Sequence, residues 1–121
     1  KDITLSSKDG YDAMIQLINS GTLPSAIFCA NDITAIGVMQ AIHKSGLKVP
    51  KDISIIGLDN IEISEYFRPS LTTIHVPKEE LGKFAVKLLI DRINGGHEIN
   101  TLIKLPFKLI ERESCDKYKN G

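Results

Sequence analysis

The sequence predicts an α/β fold, with an open, mostly parallel sheet and helices on both faces. Apolar segments of strand length alternate with helical patterns of roughly 12–18 residues, which is typical of parallel β-α-β units. The segment ISIIGLD is apolar on both faces, as expected of a strand buried in such a sheet. With 121 residues, 42% of them hydrophobic and 25% charged, the chain can form one packed domain or part of one.

The first half of the chain contains two predicted helices and two predicted strands. DGYDAMIQLINSG has helical spacing and ends at Gly21, which suits the position after a helix. SAIFCA is a short apolar strand, and the helical segment TAIGVMQAIHKSG follows it and ends at Gly46. ISIIGLD, described above, is the second strand.

The second half begins with the β-rich stretch LTTIHV and continues with a long helical pattern that ends at Gly95-Gly96. The final apolar segment, TLIKLPFKLIE, reads as a strand interrupted by Pro106, which predicts a sheet edge or a bulge there. The long helix carries one apolar stripe, formed by Leu81, Phe84, Ala85, Leu88, Leu89 and Ile93.

Charge and cysteine content narrow the functional classes. Fifteen basic residues balance fifteen acidic ones, so the broad positive field typical of nucleic-acid binding is not expected. No apolar run approaches the roughly 18 residues of a membrane span, and the polar first ten residues do not resemble a signal peptide. Cys29 and Cys115 are far apart and lack CxxC spacing, so we expect a reducing, cytoplasmic setting.

The residues that usually carry catalysis or bind metals are scattered. His43, His75 and His97 have no cysteine or carboxylate at ligand spacing, so no metal site is expected. Ser114 lacks a G-x-S-x-G context, and no Gly-rich phosphate loop occurs. We therefore expect a protein that is not an enzyme and needs no cofactor.

Two predicted strands end in polar pairs, Asn31-Asp32 and Asp59-Asn60. Ligands of open parallel sheets bind beyond the carboxyl ends of the strands, so both pairs are expected at one rim. Asp32 directly precedes a helix and is predicted to be its N-cap. Asn31 then stands one residue too early to cap, and its amide is expected to face the rim, where it suits a polyol or a nucleobase edge.

The role of Asp59 stays open between two alternatives. Asp and Asn both favour turns and tolerate left-handed backbone, so the pair Asp59-Asn60 could simply form a turn. A carboxylate at a sheet rim can equally hold a sugar by accepting two hydroxyl hydrogens, because charge-assisted hydrogen bonds are strong. Local signals do not separate the turn role from the ligand role.

Three segments together resemble the lactose-repressor family of bacterial transcription regulators: PSAIFCANDITAIGVMQAIHKSGLKVPKDISIIGLDN, RPSLTTIHVPKEELGKFAVKLLIDRI and LPFKLIERESC. The similarity extends from Gly10 to Cys115, and its separate motifs occur in the family's order. The resemblance is to the C-terminal part of the effector-binding domain, whose fold is shared with periplasmic sugar-binding proteins of type I.

The resemblance implies a binding site for a small-molecule effector, such as a sugar, between two subdomains that close like a hinge. It assigns effector contacts to Asn31 and Asp59. Val76 and Leu5 occupy two further ligand positions, where the family often carries a glutamine and an aromatic residue. We therefore expect a pocket for a smaller or more apolar effector, or for a partner protein.

The resemblance also implies a homodimer, formed by the outer face of the helix after Asn31-Asp32 and the loop after Asp59. Amphipathic spacing alone would instead place Ile36 and Met39 in an ordinary core. The aromatic pair in SEYFRP favours an interface. The implied interface residues are Ile36, Met39, Gln40, His43, Tyr66 and Phe67.

The resemblance divides the chain into three parts. Residues 1–75 correspond to the C-terminal subdomain, residues 76–100 to a crossover helix that packs on a missing N-terminal subdomain, and residues 101–121 to a returning strand with a polar tail. A helix-turn-helix head is expected before Lys1, and operator DNA is expected to be contacted only through that head. Without its partner, the apolar stripe is expected to pack on the chain's own sheet or on another copy.

Two functions of different classes fit these observations. The first is the effector-binding and dimerisation portion of a repressor of the lactose-repressor type. The second is a solute-binding protein of a sugar transporter, which shares the fold and the rim residues. The motifs VPKDIS and LPFKLIERES favour the regulator.

Overall fold

The computed structural model describes residues 5–118. Its sheet has the order β1-β2-β3-β4, in which the first two pairs are parallel and the last is antiparallel. This arrangement confirms the predicted open, mostly parallel sheet with helices. The elements are α1 (Ser7–Asn19), β1 (Ala26–Phe28), α2 (Asp32–Lys44), β2 (Ser54–Asp59), α3 (Ile63–Tyr66), β3 (Thr72–His75), α4 (Lys78–Ile93) and β4 (Lys108–Ile110).

The last strand lies at an edge of the sheet, as the proline predicted. β4 pairs only with β3 and begins two residues after Pro106, while residues 101–107 form no strand. Since proline has no N–H to donate, the ladder starts only beyond it. The strand is therefore much shorter than the apolar segment TLIKLPFKLIE predicted.

The hydrophobic core lies between the sheet and α2, with α1 packed on α2. Gly37 permits the close approach of the two helices, because a Cβ there would lie 1.8 Å from the carbonyl oxygen of Ser7. On β2, Ile55 is fully buried, whereas Ile56 on the opposite face is only partly covered. Phe28, also on that opposite face, is 59% exposed. In the described residues, the face toward α2 is therefore the better closed one.

Helix α4 has no buried residue, with Leu89 60% and Ile93 73% exposed. The expectation that its apolar stripe packs on the chain's own sheet is wrong for the described residues. On β3, Thr73 donates to Asp32 of α2, and Thr72 accepts from the backbone N–H of Arg112. Packing of the stripe on another copy stays a prediction.

The C-terminal segment forms hydrogen bonds with the amino-terminal ends of the two inner strands, β2 and β3. The hydroxyl of Ser114 accepts from the Thr72 N–H at 2.8 Å and donates to the Ile55 carbonyl at 2.6 Å. The Ser70 N–H and hydroxyl donate to Glu113 Oε2 at 2.8 and 3.0 Å. These two hydrogen bonds, with a smaller effect of the Arg68 charge, hold the pKa of Glu113 below its ordinary value.

This lowered pKa predicts an acid-sensitive contribution to stability. A carboxyl group with a depressed folded-state pKa stabilises the fold above its unfolded-state pKa, about 4.3, and this contribution is lost as the pH falls through the folded-state pKa. Glu113→Gln should therefore flatten the decline of the melting temperature below about pH 4.3, measured by circular dichroism. Glu111→Gln, at an exposed carboxyl group two residues earlier, serves as the control and should keep the steep decline. Equal slopes in the wild type and Glu113→Gln would contradict the assignment.

Candidate functional site

The carboxyl ends of β1, β2 and β3 lie at one edge of the sheet. Phe28 is level with Ile56, and Asp59 is level with His75, so the residues that follow each strand converge on this rim. Asn31 follows β1, Asp59 ends β2, and Val76 follows β3. Leu5 joins them, because the Asn31 side chain donates to the Leu5 carbonyl at 3.2 Å. The structure thus brings the four predicted ligand residues to one rim.

Asn31, not Asp32, is the N-cap of α2. Asn31 has extended backbone, and its Oδ1 accepts from the Thr34 N–H at 2.8 Å, whereas Asp32 is the first helical residue. The prediction that Asp32 caps the helix is therefore wrong, as is the prediction that Asn31 stands one residue too early to cap it. One N–H and one lone pair of the Asn31 amide remain for a ligand.

Asp32 instead stabilises the rim through the hydrogen bonds of its buried carboxylate. Its carboxylate is fully buried and accepts three hydrogen bonds, from the Ile61 N–H at 2.9 Å and from the hydroxyls of Ser64 and Thr73 at 2.7 and 2.5 Å. These donors come from the loop after β2, from α3 and from β3. The carboxylate therefore fixes the path of the chain directly after Asp59. Sequence reasoning missed this role because the donors lie 29 to 41 positions away.

The absence of a side chain at Gly57 leaves space for the Asp32 carboxylate. A Cβ on Gly57 would lie 2.2 Å from Asp32 Oδ1, so β2 needs a glycine where the carboxylate rests. Cys29 is buried nearby, and burial, with the charge of Asp32 adding, raises the pKa of its thiol to about 11. Cys29 is therefore an unreactive core thiol rather than a nucleophile.

Asp59 differs from Asp32 in that its carboxylate has no partner among the described residues. Within residues 5–118 it makes no hydrogen bond or ion pair, and no unpartnered side-chain oxygen there is buried, so the group reaches solvent. Its φ is +120°, a backbone conformation that costs about 1–3 kcal/mol in a residue other than glycine. Lys78 Nζ donates to its backbone carbonyl and leaves the side chain available.

Asn60 follows with φ +54° and is held by three contacts. Its N–H donates to the Thr73 hydroxyl at 3.3 Å, its Oδ1 accepts from Arg112 at 2.8 Å, and its Nδ2 lies 3.1 Å from Nδ1 of His75. Arg112 also donates to the Leu71 carbonyl. The pair Asp59-Asn60 thus combines the turn role with a solvent-accessible carboxylate: Asn60 is anchored in the turn, while the partly buried Asp59 keeps its carboxylate in contact with solvent. Sequence reasoning gave Arg112 no role.

The rim combines one free carboxylate, part of an amide and two apolar side chains. Asp59 can accept hydrogen bonds from hydroxyl or N–H groups, and Asn31 can both donate and accept. Val76 is half-buried and Leu5 is exposed, so both offer apolar contact. Chemically, this surface suits a small polar molecule with a carbon skeleton.

The six residues implied for a dimer interface divide into two groups. Ile36 and Met39 are only 9% and 3% exposed, so their assignment to a dimer face is wrong; the helix turns them into the chain's own core. Tyr66 is 64% exposed, and Phe67 is partly buried against the core. Gln40, His43 and Phe67 help to line a groove of about 270 Å³.

Within residues 5–118, no group of three or more His, Cys, Asp and Glu side chains could hold a metal ion. None of the helices there is both long and apolar enough to cross a membrane.

The buried carboxylate of Asp32 leads to a stability prediction. Asp32→Asn replaces one acceptor oxygen by an amide that faces donors, so the free energy of unfolding should fall by about 1–3 kcal/mol or more. Urea denaturation measures this change. Asp52→Asn is the matched control, because Asp52 is exposed and, within residues 5–118, accepts only from the Lys48 N–H. This substitution should change stability much less. Equal losses in the two variants would contradict the role of Asp32.

Comparison with known proteins agrees with this geometry. Residues 3–115 match the family of periplasmic binding protein-like domains. The chain is 48% identical over 107 residues to the HTH-type transcriptional repressor PurR of Pasteurella multocida (strain Pm70), covering 88% of this chain and 32% of that protein. The chain thus spans about a third of the length of the curated relatives it matches.

Solved structures of transcription regulators are also similar to this chain. The lac repressor dimer bound to operator and the anti-inducer ONPF superposes with a TM-score of 0.85 at 36% identity, over 91% of this chain and 38% of that one. A LacI family regulator from Enterococcus faecium with bound ribose gives 0.81 at 36% identity, over 91% of this chain and 40% of that one. The chain therefore belongs to the periplasmic-binding-protein-like domain family and corresponds to the effector-binding part of regulators of the lactose-repressor type.

Proposed function

We propose that this chain is the effector-binding and dimerisation portion of a bacterial transcriptional repressor of the lactose-repressor type. Two of the relatives described above are repressors and the third is a LacI family transcriptional regulator, and the chain matches only a part of each. A solute-binding protein of a sugar transporter shares the fold, but these relatives do not favour it. The same relatives support a regulatory role rather than an enzymatic one.

The effector site is proposed at the rim, with Asp59 as its principal contact. The observation that carries this proposal is the free carboxylate of Asp59, held outward on strained backbone while its neighbours are engaged inside the fold. Asn31 supplies the remaining N–H and lone pair of its amide. Leu5 and Val76 supply apolar contacts in place of further polar ones. A compact sugar or similar small molecule with hydroxyl donors fits this set, and the Enterococcus regulator holds ribose.

The rim is proposed to be one wall of a cleft whose other wall lies outside this chain. Residues 1–75 form one subdomain, residues 76–100 cross over to a second, and residues 101–121 return. The absence of any buried residue in α4 supports this division, since an amphipathic helix normally buries one face. Exposed apolar side chains that follow α4 are proposed to belong to the same surface: Ile99, Leu102 and Phe107.

A homodimer is proposed through Gln40, His43, Tyr66 and Phe67. An exposed tyrosine beside a half-buried phenylalanine is the kind of aromatic pair that is enriched at interfaces. Operator DNA is proposed to be contacted by a helix-turn-helix head outside this chain, since the balanced charge offers no broad basic surface. Such a regulator acts in the cytoplasm, and the free thiols of Cys29 and Cys115 suit that setting.

The effector site is tested by calorimetry on the full-length protein with a panel of pentoses, hexoses and nucleobases. Asp59→Asn should weaken binding of the tightest panel member about tenfold or more, because a hydrogen bond to a charged group contributes about 1.5–3 kcal/mol. Asp59→Gly should lose affinity similarly but gain up to about 1–3 kcal/mol in stability, because glycine adopts positive φ without strain.

Glu62→Gln is the matched control for this test. It removes a carboxylate three residues further along, from a side chain that makes no capping hydrogen bond, and it should leave affinity unchanged. Unchanged affinity in Asp59→Asn would contradict the proposed site.

The dimer surface is tested by sedimentation velocity. Tyr66→Asp should shift the full-length protein toward the monomer, because a buried, unpaired charge at an interface is costly. Tyr118→Asp is the control, since Tyr118 is also exposed, at 74%, but lies in the polar tail. A Tyr66→Asp protein that sediments as the wild type does would exclude this surface.

A further inference from the structure

Arg112 determines the orientation of the Asn60 side chain. Its guanidinium donates to the Leu71 carbonyl at 2.8 Å and to Asn60 Oδ1 at 2.8 Å. A guanidinium carries only N–H donors, so the Asn60 amide must turn its oxygen toward Arg112. The amide nitrogen therefore faces the other way, toward His75.

The orientation of Asn60 in turn determines the tautomer of His75. Asn60 Nδ2 lies 3.1 Å from His75 Nδ1, and because Nδ2 is a donor, Nδ1 must be the acceptor. A proton on Nδ1 would face the amide hydrogens, and the amide cannot turn over without placing its NH₂ group against Arg112. The ring proton of the neutral imidazole therefore lies on Nε2.

The Nε2 atom is available at the rim. It has no hydrogen-bond partner within residues 5–118, and no unpartnered side-chain nitrogen there is buried, so Nε2 reaches solvent. His75 is the register partner of Asp59 across the parallel strand pair. The rim thus carries an acceptor on Asp59 and, on the neighbouring strand, a ring N–H on His75.

We propose that Arg112 acts through Asn60 to fix His75 as the Nε2–H tautomer, so that the rim presents a permanent hydrogen-bond donor beside the Asp59 acceptor. Arg112 and Asn60 are then positioning residues, and His75 is a specificity-determining residue. The ligand class selected is one with an acceptor and a donor group side by side, such as a vicinal diol or the amide edge of a nucleobase. The selection of this ligand class rests on the proposed effector site, whereas the assignment of the His75 tautomer does not.

The tautomer can be read without any ligand. Long-range ¹H–¹⁵N correlation spectra of the ¹⁵N-labelled 121-residue chain, at alkaline pH where ordinary imidazoles are neutral, distinguish protonated from unprotonated ring nitrogens. A His75→Gln variant assigns the signals, with His43 and His97 as internal references. We expect Nδ1 of His75 to be unprotonated and Nε2 to be protonated in the wild type.

The decisive variant is Asn60→Asp, which keeps the size of the side chain and tolerates the left-handed backbone. Its carboxylate accepts from Arg112 and also requires a donor from His75, so the ring proton should move to Nδ1. Asn100→Asp makes the same chemical change away from the relay, and Glu113→Gln alters the residue next to Arg112. Both controls should leave the Nε2–H tautomer in place.

Two results would overturn the proposal: an Nδ1–H or mixed tautomer in the wild type, or an unchanged tautomer in Asn60→Asp. Because no ligand enters this experiment, its outcome is independent of the Asp59 affinity test. A shifted tautomer together with unaltered affinity in Asp59→Asn would uphold the relay and reject the effector site.

Discussion

The structure depends on one buried carboxylate that has no cationic partner in the described residues. Asp32 stands at the first position of α2, where the helix N-terminus favours negative charge, and three donors complete its hydrogen bonding. An isolated buried carboxylate would be far too costly, so these donors must stay in place. Through them, one side chain joins α2 to the loop after β2, to α3 and to β3.

This arrangement explains how Asp59 can remain strained and unpartnered. The chain on either side of it is held: β2 is paired in the sheet, Asn60 is bound by Arg112, and Ile61 donates to Asp32. Strained backbone persists only where its surroundings determine it fully. The buried carboxylate of Asp32 thus keeps the carboxylate of Asp59 in position. Arg112, in the returning C-terminal segment, contributes by donating a hydrogen bond to Asn60.

The sequence predicted the sheet class, the order of every element except the short helix α3, and the position of the rim. Apolar periodicity is a local property of the sequence, and the direction of parallel strands determines which of their ends meet at the rim. Sequence reasoning misassigned Asn31 and Asp32, since both residues are good caps and only the backbone angles show which one precedes the helix. The family resemblance implied a dimer-face position for Met39, although helical spacing alone pointed to the core, where Met39 lies. Sequence reasoning could not find the contacts of Asp32 or Arg112, which join residues up to 52 positions apart.

The Asp32 carboxylate holds the chain that carries Asp59. Native-state hydrogen exchange of the Ile61 amide tests this most directly, because that N–H donates to Asp32 Oδ2 at 2.9 Å. In the wild type, the Ile61 amide should be protected. In Asp32→Asn it should exchange much faster, while the amide of Ile42 in α2 keeps most of its protection. Equal protection of Ile61 in the wild type and in Asp32→Asn would contradict the account.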